Sequence, residues 1–177
     1  MKKRLLSLLA AALLLGSPGV GSAGAASPAA ANPAAPVRFS LPGSDAAYRV
    51  QMPEGWRVTA QPDLRLALVT AAAPDGARYV LLFANHEPGR TLSGWQTLLT
   101  AAGARNGVTE ITAAAQGDLP LITYRLRTEG TGSYCAVCQP EEGWLFTFEF
   151  RSTDGSVEMA FAADDIRRVI GSLQPAE

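Results

Sequence analysis

Cys135 and Cys138 stand three apart in the segment Ser133 to Ser152, SYCAVCQPEEGWLFTFEFRS, and are the only thiols among 177 residues. A C-x-x-C pair performs thiol–disulfide exchange when its first cysteine opens a helix, where the dipole lowers the thiol pKa and the sulfur is accessible. Here the flanking residues favour a strand. Residues three apart on a regular strand point to opposite faces with α-carbons about 10 Å apart, at a rise of roughly 3.3 Å per residue, whereas a disulfide spans at most about 7 Å. Against this, an oxidising compartment favours pairing of two lone cysteines. Three readings stay open: a local disulfide at an interrupted strand, two thiols on opposite faces, and a redox couple.

The sole histidine, His86, lies in Asn85-His86-Glu87-Pro88. It could serve as a general base or share a metal with Glu87, but no serine or cysteine is tied to it by spacing. A zinc site would need more soft or nitrogen ligands than this chain offers. The acidic pairs Glu141-Glu142 and Asp164-Asp165 lack the dense spacing of a calcium loop, and no phosphate-cradling glycine pattern or G-x-S-x-G elbow occurs. No catalytic residue, metal or cofactor is assigned on these grounds.

The elements that would hold such groups are clearer. In the opening segment Trp144, Phe146, Phe148 and Phe150 alternate with Leu145, Thr147, Glu149 and Arg151. That period of two predicts a strand whose aromatic side must be covered, here by a helix. Tyr134–Gln139 precedes it across turn residues Pro140 to Gly143, so the two form a hairpin. Tyr79–Ala84 has no polar face and reads as a central strand covered on both sides. Ile122, Tyr124 and Leu126 face one way while Thr123, Arg125 and Arg127 face the other, leaving one wet side or one side for a partner. Shorter strands are expected at Val37–Leu41, Ala47–Met52, Leu64–Val69 and Val108–Ala113. Trp56, after Pro53-Glu54-Gly55, should fold back over the sheet edge.

Ser93, three residues before Gln96, has the capping-box spacing, and Leu92, Trp95, Leu98, Leu99 and Ala102 recur at helical spacing up to Gly103. Asp164-Asp165 ahead of Ile166, Val169, Ile170 and Leu173 announces a closing helix, since carboxylates suit the positive end of the dipole.

Met1-Lys2-Lys3-Arg4, the apolar run Leu5 to Leu15 and the small residues Ala23-Gly24-Ala25 form the pattern of a secretory signal, with cleavage expected after Ala25 or, as an alternative, Ala23. Residues 26–36, almost all alanine and proline, read as a linker, and 37–177 as a single domain. The mature chain is then expected in a periplasm or outside the cell, with no membrane span. The fifteen basic side chains fall to twelve arginines once Lys2, Lys3 and Arg4 are removed, against sixteen acidic groups. A net charge of about −4 with no basic cluster argues against nucleic acid as a partner.

The element order, with Trp56 just after the Pro53-Glu54-Gly55 turn and a C-terminal helix ending near Ser172-Leu173, resembles the PsbP-like fold. That family includes the photosystem II extrinsic protein PsbP, a nuclear-import factor that binds the GTPase Ran, and exported bacterial domains of unknown function. The resemblance covers most of Val37 to Gln174. It implies an α+β fold in which an antiparallel sheet is packed by helices, an α/β/α sandwich, and a role in binding or assembly. The family offers no catalytic residue to match here. The expected function is therefore an exported, non-enzymatic binding or accessory domain, its protein partner docking on the sheet edge or on the face bearing Arg125 and Arg127. The competing expectation is a thiol oxidoreductase using Cys135 and Cys138.

Overall fold

The structure is a computed structural model that describes residues 35–61, 68–128, 131–153 and 160–177. The expected export signal, most of the linker, and Leu64 and Leu66 of one expected strand lie outside the described residues. The strands are β1 (Val37–Ser40), β2 (Ala47–Val50), β3 (Arg57–Ala60), β4 (Val69–Ala72) and β5 (Arg78–His86), then β6 (Val108–Gln116), β7 (Leu119–Thr128), β8 (Thr131–Glu141), β9 (Trp144–Ser152) and β10 (Gln174–Pro175). The described helices are α1 (Leu92–Ala102) and α2 (Ala163–Gly171), with a short 3-10 turn at Ala104–Asn106.

Seven strands form one antiparallel sheet in the order β3-β4-β5-β9-β8-β7-β6, and β1, β2 and β10 form a second sheet of three. The fold is thus α+β with open antiparallel sheets packed by helices. As the apolar run of Tyr79–Ala84 implies, β5 is an interior strand, pairing with β4 on one side and β9 on the other. The aromatic hairpin is β8–β9. Its turn is tighter than expected: Glu141 already pairs with Trp144. The register shift between Cys138 and Glu141 accommodates Pro140, which lacks the N–H an interior ladder needs.

Two cores lie on the two faces of the large sheet. On the aromatic face, Phe146, Phe148 and Phe150 pack with Val69, Val80 and Leu82, and the cover is mixed. Helix α2 supplies Val169 and Ile170, but the three-stranded sheet supplies Phe39, Tyr48 and Val50. Tyr48 stands 4.9 Å from Phe146 and Phe39 6.4 Å from it, ring centre to ring centre. The expectation of a purely helical cover is corrected accordingly: β1 and β2 leave the main sheet and lie over it. Trp56 closes one end, 5.9 Å from Phe161, with the Arg78 guanidinium 5.5 Å from its ring.

On the opposite face α1 lays Trp95 and Leu99 over Ile122, Tyr124, Leu126, Val137 and Leu145. Its N-cap is Thr91, whose Oγ1 accepts a hydrogen bond from the Gly94 N–H at 3.1 Å, so the helix begins two residues before the expected cap Ser93. Threonine has the same capping chemistry as serine, and the earlier start brings Leu92 onto the apolar stripe. Helix α2 carries Asp164 and Asp165 in its first turn, as its sequence requires.

Candidate functional site

The strand that carries the cysteines stays regular through both of them. Cys135 pairs with Tyr124 and Glu149 in register, Cys138 with Leu121 and Phe146. The three-residue spacing therefore sends the sulfurs to opposite faces. Cys135 lies in the α1 core and Cys138 in the aromatic core, 2 % and 0 % exposed. Both are free thiols, so the local disulfide is not formed. Burial pushes the Cys138 thiol up to about 12. Cys135 is pushed well above the usual thiol range, first by burial and then by the Glu149 charge, which outweigh a hydrogen bond from Tyr124 and the charge of Arg151. Exchange chemistry needs an exposed thiolate with a partner sulfur in reach, and this geometry supplies neither.

Beside Cys135 lies a polar cluster that alternation alone does not disclose. Glu149 is 2 % exposed and Arg151 9 %. Glu149 Oε1 accepts from Ser133 Oγ at 2.6 Å and from Arg151 Nε at 2.9 Å. A buried carboxylate persists when a cation and hydrogen bonds replace its water, and both are present here. The sequence signal that could have revealed it is the i, i+2 spacing of opposite charges on one strand face, with Ser133 across the ladder from Arg151.

His86 ends β5 in an exposed position and stacks on Trp144, ring centres 4.8 Å apart and planes inclined by 31°. Glu87 does not turn towards it; its carboxylate pairs with Arg90, and its N–H donates to the Gly143 carbonyl at 2.7 Å. Glu141 accepts a 2.7 Å hydrogen bond from the Tyr48 hydroxyl, tying the small sheet to the hairpin tip. Burial first, and Glu141 second, hold Tyr48 above the usual tyrosine range. Asp164 pairs with Arg167, and Asp165 with Arg168 at 3.3 Å. Among the described residues no group of three or more histidine, cysteine or acidic side chains could hold a metal ion. No described helix is long and apolar enough to cross a membrane.

Arg125 and Arg127 sit on the aromatic side of β7, towards the β6 edge. The Arg125 guanidinium lies over Tyr134, 5.4 Å from the ring centre, and its Nε donates to Glu110 Oε2 at 3.2 Å. Arg127 is exposed, and Thr123 on the same face is buried. The structure thus gathers two arginines and a tyrosine at one rim of the sheet, apart from the cysteines and from His86.

No family model matches this chain, and no curated protein matches it. Solved structures do. LpqN, involved in cell envelope biogenesis of Mycobacterium tuberculosis, is similar at 13 % identity with a TM-score of 0.54, over 81 % of this chain and 90 % of LpqN. A protein of Bacteroides thetaiotaomicron is similar at 14 % identity with a TM-score of 0.49; the match covers 79 % of this chain but only 48 % of that one. At such identities the likeness to LpqN is one of fold.

Proposed function

We propose that the chain is an exported, non-enzymatic accessory domain of the PsbP-like type that binds a protein partner through the rim formed by Arg125 and Arg127. The observation that carries this reading is the Arg125 guanidinium lying over Tyr134, 5.4 Å from the ring centre, and hydrogen-bonded to Glu110, with Arg127 exposed beside it. Arginine and tyrosine are among the residues enriched at the hot spots of protein interfaces, and a guanidinium already held in place loses little entropy on docking. Export is supported by the basic, then apolar, then small-residue order of the first twenty-five residues. The part LpqN plays in cell envelope biogenesis is compatible with such a role. The partner this surface suits is a protein presenting carboxylates. A double variant, Arg125→Glu with Arg127→Glu, separates this from other readings. In a pull-down from cell-envelope extract of the source organism, the unaltered chain should retain a partner that the variant loses while its circular dichroism is unchanged. Equal retention by both would reject the rim as the docking site.

A further inference from the structure

The outer strand of the seven-stranded sheet on the α1 side is β6. Its first half is blunted: the register shifts between Thr109 and Thr112, and Glu110 takes φ 53°, a bulge of the kind that turns an edge away from further pairing. Beyond the bulge, Thr112–Gln116 has no such device. Those five residues, Thr-Ala-Ala-Ala-Gln, carry no charge and no proline, pair in unbroken register with Leu119 to Thr123 on β7, and are exposed from Thr112 to Ala115. An edge of this kind presents a row of outward N–H and C=O groups to any strand that can reach it.

We infer that β6 pairs antiparallel with β6 of a second copy of this chain, about a two-fold axis through Ala114, so that two seven-stranded sheets join into one. Three observations select a second copy as the occupant. In this register Ala114 faces its counterpart, Ala113 faces Ala115 of the second copy, and Thr112 faces Gln116 of the second copy. The seam is then filled by small side chains, with a polar pair at each end. The charge along the edge is also self-complementary. Among the described residues, the Val108 end has Arg105, Arg125 and Arg127 with the carboxylate of Glu110, while the Gln116 end has Asp118 and, from α2, the two ion pairs Asp164–Arg167 and Asp165–Arg168, which leave it acidic by one charge. Antiparallel pairing sets the basic end of each copy against the acidic end of the other. Lastly, α2 meets β6 at Gln116, whose amide nitrogen lies 3.3 Å from where a Cβ on Gly171 would stand. A two-fold axis through Ala114 places the two α2 helices at opposite ends of the seam, their Gln116 residues about 14 Å apart along the strands at roughly 3.4 Å per residue. Neither helix then blocks the other.

A seam of five residues is short, so the dimer forms weakly and loosens as salt rises. The inference does not depend on the arginine rim binding a partner. Sedimentation velocity of the purified chain over a concentration series tests it. The expected result is a concentration-dependent dimer that Ala114→Lys weakens by about tenfold or more with the fold unchanged, because two ammonium groups would meet on the axis. Ala114→Cys should give a covalent dimer on oxidation, since residues directly opposed across an antiparallel pair have α-carbons about 4.5 to 5.5 Å apart, within disulfide reach. The native thiols are buried and do not compete. A chain that stays monomeric throughout would overturn the inference, and so would a dimer that survives Ala114→Lys and is not linked through Ala114→Cys. Should Ala114→Lys fail to fold, the cross-link alone decides. A monomer whose edge takes up an extended segment of a different protein would also overturn it.

Discussion

Cys138 lies between Leu121 and Phe146 across the ladder, and that apolar setting stabilises the neutral thiol over the thiolate. Its pKa is raised from 9.0 to about 12 in the folded chain. Between those values the native state holds a proton that the unfolded state has released, so the contribution to stability is full below pH 9 and is lost as pH rises towards 12. Cys135, also raised by burial, adds to the loss above pH 9, and Tyr48 acts in the same direction at higher pH, so Cys138 accounts for part of the fall. Urea unfolding measured between pH 8 and 11 should therefore show stability falling above about pH 9, and Cys138→Ala should flatten that fall. An unchanged slope in Cys138→Ala would mean that the thiolate is tolerated in the core. The same burial explains why a C-x-x-C spacing is not in itself a redox site: the chemistry requires a helix end, and a strand delivers two small apolar side chains to two different cores.

At the scale of elements, the passage from α1 into β6 turns on Gly107. It has φ 73°, its carbonyl accepts from the Arg127 N–H at 3.0 Å, and a Cβ there would stand 2.2 Å from the Arg127 carbonyl oxygen. Gly107→Ala should destabilise the fold by more than about 1 kcal/mol in denaturant titration, since it meets both an unfavourable φ and a backbone collision. A neutral result would show that the connection can shift away from β7. Elements with a strong period were legible in the sequence for physical reasons: the aromatic rungs of β9, the unbroken apolar run of β5 and the heptad-like face of α1 each state what they bury. Others were not. β3 is an edge strand with three of four residues exposed, so it shows no alternation. β1 and β2 were recognisable as strands, but four residues each say nothing about which sheet they join. Glu149 and Arg151 read as a solvated face because a charge on a strand signals water unless its partner is known.

For the whole molecule, the large sheet acts as a partition. The side chains of one strand alternate between two cores that share a backbone and little else, the aromatic core on one side and the α1 core on the other. Phe148 is fully buried in the first and Leu99 in the second. Phe148→Ala should lower stability by about 3 to 5 kcal/mol and Leu99→Ala by about 2 to 5 kcal/mol, as lost transfer free energy and cavity add together. Because no buried residue belongs to both cores, the double variant should lose the sum of the two single losses to within about 0.5 kcal/mol. Such additivity requires that neither cavity be relieved by movement of the strands between them. Equilibrium denaturation of the four chains measures the coupling directly. A departure from the sum by more than about 1 kcal/mol would mean that the strands shift as a body when either side is emptied. The sheet would then transmit strain between its faces, and docking on the proposed Arg125 rim would be felt beneath α1.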